Sequence, residues 1–192
     1  MKLAPFQEHL SPIRYDFACR RCSYSLRALR FDGDCPECGQ PVFRSAAHIA
    51  HDIEALDWNR SGVPETFAPS SGYQQAIAVA AGVAQVAPDM LAFVVDTNVF
   101  IDFALRPPGV DERRDTPRDP SAATYAQALL HFAAVYFGDR APETLRRWGL
   151  HHSRGLGHAL TVLVRAGVLK TEPGDDFQDF ETLYELSDET QS

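Results

Sequence analysis

All four cysteines of the chain fall in one short segment, as Cys19-Arg-Arg-Cys22 and Cys35-Pro-Glu-Cys38, with twelve residues between the pairs. A two-residue gap lets both sulfurs of a hook reach one metal while the backbone folds around it. Two such hooks complete a tetrahedral thiolate shell, the arrangement that structural zinc takes. Disulfides are the alternative, and four cysteines allow three pairings. Met1–Leu10 carries a Lys, a Glu and a Pro and no apolar core of a secretory signal. That predicts a reducing, cytoplasmic location, where disulfides are disfavoured. Iron–sulfur chemistry uses the same ligands but suits Pro-x-Cys-Gly hooks less well. Gly39 follows the second hook, where a positive φ lets the backbone N–H turn toward sulfur. Ser23 holds the matching place after the first hook, where glycine would be easier. Four protein ligands leave no open coordination position, so Zn²⁺ here is expected to fold the module rather than catalyse. Tyr24, Leu26, Leu29 and Phe31 supply a small apolar cluster between the hooks.

Residues 15–42 resemble the short bacterial zinc ribbon, written roughly Cys-x-x-Cys-Gly-Tyr-x-Leu-x-x-Leu, a spacer, then Cys-Pro-x-Cys-Gly. The resemblance implies metal binding through Cys19, Cys22, Cys35 and Cys38. It does not select a partner, since ribbons bind DNA, RNA and proteins alike.

The 192 residues are 45% hydrophobic and 23% charged, enough for one sizeable core or a core plus a small satellite. Charge separates along the chain. Residues 1–45 carry a net +2, residues 46–170 a net −2, and residues 171–192 a net −8 with no Lys or Arg. An acidic chain binds nucleic acid poorly unless a local basic patch dominates. The candidate patch is the ribbon, with Arg20, Arg21, Arg27 and Arg30 as its nucleic-acid-binding residues and Arg14 and Arg44 nearby. The acidic end reads as a solvated tail. The longest apolar stretch is broken by Asp96, Thr97, Asn98 and Asp102, so no membrane-spanning segment is expected.

Past the ribbon, Ser45 is placed to cap a helix carrying Ile49, Ile53 and Leu56. His48, His51 and Asp52 on that helix read as an exposed face. Residues 59–72 read as a Gly/Pro/Ser linker, and residues 73–86 as an alanine-rich helix. Residues 90–105 are ambiguous between a buried helix and a strand. Phe93-Val94-Val95-Asp96-Thr97-Asn98 resembles the opening strand and turn of PIN-domain nucleases. That resemblance implies Asp96 as the first carboxylate ligand of Mg²⁺ or Mn²⁺, with Glu143 as a candidate second. The further acids fall only in residues 172–189, late for such a cluster. Residues 107–120 read as a mobile, proline-rich charged loop.

In the C-terminal block Ser121 caps a helix to about Phe137, Pro142 opens a short helix stopped by Gly149, and Ser153 caps a third. Val168-Leu169-Lys170 reads as a short strand, and residues 177–186 as a strand or last helix. Three helices and a hairpin form a winged-helix-like pattern. Its reading helix would carry Arg154, His158 and Arg165, but its wing is acidic and would repel phosphate. Residues 137–180 also resemble the Verrucomicrobia/Planctomycetes-restricted conserved hypothetical family, through Phe137-Gly138, Trp148-Gly149, Ala166-Gly167-Val168-Leu169 and the acidic run to Phe180. That resemblance implies architecture and no activity. His151 and His152 beside Glu143 read as surface histidines rather than acid–base groups, and no nucleophile elbow, phosphate loop or dinucleotide fingerprint occurs.

These observations predict a mostly α protein: a zinc ribbon with short β elements over 1–44, then a helical domain over 45–192 ending in a winged-helix-like block. They point to a zinc-stabilised, non-enzymatic module whose partner is a protein, without catalytic residues. A nucleic-acid-associated protein using the ribbon arginines is the first alternative, and a PIN-like nuclease working through Asp96 the second.

Overall fold

The computed structural model describes residues 6–10, 12–55, 71–105, 120–171 and 177–187. The linker read at 59–72 and the loop read at 107–120 fall almost wholly outside these residues, as do 172–176 and 188–192 of the acidic end.

The described chain is mostly helical. After a 3₁₀ turn at Gln7–Leu10 and the cysteine-bearing loops come α1 (Val42–Ala55), α2 (Ser71–Ala84), α3 (Pro88–Leu105), α4 (Ala122–Phe137), α5 (Ala141–Arg147) and α6 (Ser153–Arg165). A 3₁₀ turn at Phe177–Phe180 packs against α6. No sheet forms among the described residues. The β character of the N-terminal segment is limited to two isolated antiparallel bridges, Ala18 with Ser25 and Asp34 with Pro41.

Helix α3 lies at the centre, against α1, α2, α4 and α6. Its buried residues include Met90, Leu91, Phe93, Val94, Val95, Thr97, Val99, Phe100, Ile101 and Ala104, which lie all round the helix. A helix apolar on every side carries no 3.6-residue stripe, so periodicity alone left residues 90–105 undecided. The strand expected from the nuclease resemblance is corrected here, because residues 88–105 are one continuous helix. Thr97 returns its hydroxyl to the Phe93 carbonyl at 2.9 Å, which lets a hydroxyl sit in this core without an unmet donor. Phe93 and Phe100 stack on Phe132 of α4, with centroids 5.3 and 5.1 Å apart, and Phe93 also meets Phe137 and Trp148. Aromatic pairs of this kind add about 1 kcal/mol each beyond area burial.

Several element ends differ from those expected. Helix α1 begins at Val42, so Ser45 is not its cap. Ser45 is buried inside the first turn, and its hydroxyl accepts from the Arg20 N–H at 3.2 Å and the Gln40 amide at 3.4 Å. Helix α4 has the expected cap, with the Ser121 hydroxyl accepting from the Thr124 N–H at 3.2 Å. Helix α6 is capped by His152, whose Nδ1 accepts from the Gly155 N–H at 3.0 Å. The Ser153 hydroxyl instead accepts from the Leu183 N–H at 2.9 Å and holds the C-terminal strap. That strap is pinned again by Ser153 N–H to Tyr184 O and Leu186 N–H to His151 O. Residues 168–170 form no strand. The only pairing of this block among the described residues is the bridge of His152 with Glu185, and residues 177–180 are a 3₁₀ turn.

Candidate metal centre

The two hooks are built to one plan, sixteen residues apart. In each, the N–H of the residue after the second cysteine donates to the first cysteine's carbonyl: Ser23 to Cys19 and Gly39 to Cys35, both at 2.8 Å. In each, the first cysteine's N–H donates one residue further on: Cys19 to Tyr24 O and Cys35 to Gln40 O, both at 2.8 Å. The bridges Ala18–Ser25 and Asp34–Pro41 close the two loops at matching places. This tight turn needs a left-handed residue at its corner. Gly39 supplies φ +67° at no steric cost, whereas Ser23 holds φ +61° with a side chain.

The turns aim all four thiols at one point. The sulfurs lie within 4.8 Å of one another. Cys19 Sγ is 3.6 Å from Cys38 Sγ, and Cys22 Sγ is 3.6 Å from Cys35 Sγ, each contact crossing from one hook to the other. A disulfide would need about 2.05 Å. Zinc–sulfur bonds of about 2.3 Å place tetrahedral sulfurs about 3.8 Å apart, so the four residues fit a metal of that size. All four cysteines are free thiols.

Electrostatics favour a cation at this point. Burial opposes the Cys19 thiolate, but N–H groups of Arg21 and Cys22 and the thiols of Cys38 and Cys22 outweigh it and bring Cys19 down to about 7. The Tyr24 N–H favours a thiolate at Cys22, but burial and the neighbouring thiols push it up to about 12, and Cys38 is also raised. Cys19 is thus the thiol held ready to ionise, while burial and the thiols around them hold Cys22 and Cys38 back. A divalent cation at the centre removes that penalty.

The arginines expected to read nucleic acid are largely engaged with carboxylates. Arg20 pairs with Asp52 of α1 at 2.5 Å, Arg27 with Asp16 at 2.7 Å, and Arg30 with Asp32 at 2.8 Å. Arg21 is exposed and has no ion pair among the described residues. Asp52 is thus committed to Arg20, while His48 and His51 are exposed on α1. Arg154, His158 and Arg165 share the exposed face of α6. Asp96 is half-buried on α3, where burial raises its carboxyl to about 6. The cysteines are the one group of three or more potential metal ligands found among the described residues, so no carboxylate cluster surrounds Asp96 there.

One residue escaped the sequence reading. His131 of α4 is fully buried, with the ring of Phe31 stacked on it at 4.1 Å and 9°. Its Nε2 donates to the Leu10 carbonyl at 2.6 Å, and its Nδ1 accepts from the Tyr15 hydroxyl at 2.6 Å. A carbonyl can only accept, so Nε2 carries a proton, and complete burial keeps the ring neutral, which leaves Nδ1 to accept. Four residues earlier on the same helix, Gln127 accepts from the Arg14 N–H at 2.8 Å and donates to the Pro12 carbonyl at 2.6 Å. Two side chains of α4 therefore hold the backbone at Leu10, Pro12 and Arg14, shortly before the first hook. The signal was a lone histidine inside Leu129-Leu130-His131-Phe132-Ala133.

No family model, curated protein or solved structure matches the chain. The resemblance of the C-terminal block to the conserved hypothetical family accordingly gains no support from these comparisons. No helix among the described residues is long and apolar enough to cross a membrane.

Proposed function

We propose that Cys19, Cys22, Cys35 and Cys38 hold one Zn²⁺ in a closed four-thiolate shell, and that the metal's task is structural. The observation that carries this is the convergence of the four sulfurs at the edge length of a zinc tetrahedron. Four thiolates fill the shell, so the ion offers substrate no vacant position. The ribbon-like segment it closes is clamped onto α4 through Tyr15, Phe31 and His131 and onto α1 through Arg20 and Asp52. Metal binding is thereby coupled to the helical body.

We further propose a non-enzymatic, cytoplasmic protein-binding module. Three of the four ribbon arginines spend their charge on carboxylates of this chain, which favours a protein partner over a polyanion. The test is metal analysis of the purified chain together with fluorescence anisotropy on single- and double-stranded RNA and DNA across a salt series. One zinc per chain and no binding at low salt are expected. Less than stoichiometric zinc overturns the metal assignment. Salt-dependent binding that is lost on neutralising Arg20 and Arg21 replaces the protein partner with nucleic acid. Loss of the probe by cleavage that Asp96→Asn abolishes replaces it with a nuclease.

A further inference from the structure

Every thiol of the chain belongs to the metal centre, since the sequence holds four cysteines and all four converge there. The four are not equally placed. Cys19 and Cys35, the first cysteine of each hook, are buried, each with 2% exposure. Cys22 and Cys38, the second of each, are half-buried and reach solvent. The sulfur contacts at 3.6 Å join unlike members: accessible Cys38 meets buried Cys19, and accessible Cys22 meets buried Cys35. Each contact thus sets a sulfur that an oxidant can reach against a second sulfur behind it, on the other hook. That is the arrangement of an attacking and a resolving thiol. The pairs are nested along the chain, Cys22 and Cys35 inside Cys19 and Cys38, so neither closure crosses the other. Closing either pair brings its sulfurs from 3.6 Å to about 2.05 Å, a small movement beside the size of a hook.

We propose that the cysteine centre is a peroxide-responsive switch, which hydrogen peroxide converts into the two cross-hook disulfides Cys19–Cys38 and Cys22–Cys35 with release of the metal. The inference rests on the assignment of these four residues as zinc ligands. The Cys38 thiolate attacks the peroxide, an S–O bond forms, the O–O bond breaks and hydroxide leaves. The Cys19 thiolate then attacks the Cys38 sulfur, an S–S bond forms, the S–O bond breaks and a second hydroxide leaves. Cys22 and Cys35 repeat both steps. Two peroxides take four electrons from four thiolates and give two disulfides and four hydroxides. The thiolate is the metal ligand, so the bridged sulfurs release the cation. The bridges then close the ribbon in place of the metal, and its clamps on α1 and α4 stay formed in the oxidised chain.

The test titrates the full zinc-loaded chain with hydrogen peroxide, a chromophoric chelator reading released zinc and mass spectrometry reading the bridges. Trypsin cuts after Arg20, Arg21, Arg27 and Arg30, and a glutamate-specific protease after Glu37, so the four cysteines fall on separate peptides. Release of one zinc per two peroxides is expected, with Cys19–Cys38 and Cys22–Cys35 as the main bridged peptides. Dithiothreitol and zinc should restore the loaded chain. The oxidised metal-free chain should keep a higher urea midpoint than the reduced metal-free chain. Within-hook bridges, Cys19–Cys22 and Cys35–Cys38, overturn the pairing. Sulfinic or sulfonic acids in place of bridges overturn the resolving role of Cys19 and Cys35. Zinc retained through a large excess of peroxide overturns the switch, and equal midpoints overturn closure by the bridges. Zinc below one per chain before oxidant is added is failure of the metal assignment. The bridge map still decides the pairing in that chain, so the two failures are told apart.

Discussion

Replacing His131 with glutamine should remove the loss of stability that this residue brings as pH falls. Glutamine can keep both contacts, its carbonyl accepting from Tyr15 and its amide donating to the Leu10 carbonyl, but it cannot titrate. Complete burial brings the imidazole of His131 down to about 3 from an ordinary value of 6.5, with the Leu10 hydrogen bond opposing slightly. The unfolded chain then binds a proton between pH 6.5 and 3 that the native chain refuses. Stability from this residue is full above pH 6.5 and is lost as pH falls toward 3. The loss amounts to about 2 kcal/mol at pH 5 and about 3 kcal/mol at pH 4. Asp96 acts with the opposite sign. Its carboxyl is raised to about 6 by burial, so its native form takes up a proton that the unfolded chain does not, and it adds stability as pH falls from 6 to 4. The gain is about 1 kcal/mol at pH 5 and about 2 kcal/mol at pH 4. The two partly cancel in the unaltered protein. Urea unfolding at pH 7, 6 and 5, read by far-UV circular dichroism in the presence of zinc, separates them. The gap between the protein and His131→Gln should shrink by about 2 kcal/mol from pH 7 to pH 5. Asp96→Asn should leave the protein losing stability with acid more steeply than before. Protonation of the cysteine ligands contributes equally to each chain and drops out of the differences. A His131→Gln gap that stays constant across these pH values refutes the neutral buried imidazole.

Cys35→Ser should bring the zinc-to-protein ratio measured by a chromophoric chelator close to zero. At free zinc about 1,000 times the dissociation constant, bound metal adds about 4 kcal/mol, and the helical signal should lose that amount because the hooks are clamped onto α1 and α4. Ser23→Gly should stabilise the first hook by up to about 1 kcal/mol in zinc-saturated urea unfolding, since it relieves a left-handed serine at some cost in chain entropy. An unchanged or lower midpoint would show that the turn carries no strain. Gly155→Ala should destabilise by about 2 kcal/mol or more and release the C-terminal strap to proteolysis, because a Cβ there would collide with the Gly149 carbonyl.

The cysteine centre was legible because its chemistry is local. A Cys-x-x-Cys hook folds on itself within six residues, so spacing alone says that two sulfurs can share a metal, and Gly39 marks the turn before any fold is known. Helices α4 and α6 were legible nearly to the residue from their apolar spacing and stop glycines. Helix α3 was not, because a segment buried on all sides has no polar face from which a period can be read, and the same residues can imitate a buried strand. The partners of the ribbon arginines lay beyond the sequence, since Arg20 meets Asp52 only after α1 turns back over the first hook. So did His131. A histidine in an apolar run can be a ligand, a base or a neutral core residue, and its fate is decided by what packs on it. Here a tyrosine hydroxyl and a backbone carbonyl, both more than a hundred residues away, satisfy both ring nitrogens, and complete burial keeps the ring uncharged. The sequence by itself determined which atoms can converge on one metal ion, because ligand identity and loop length are local quantities. Only the tertiary structure decided which charges are already neutralised and which cysteine of each hook stays open to solvent, because desolvation and packing depend on residues brought together from distant parts of the chain.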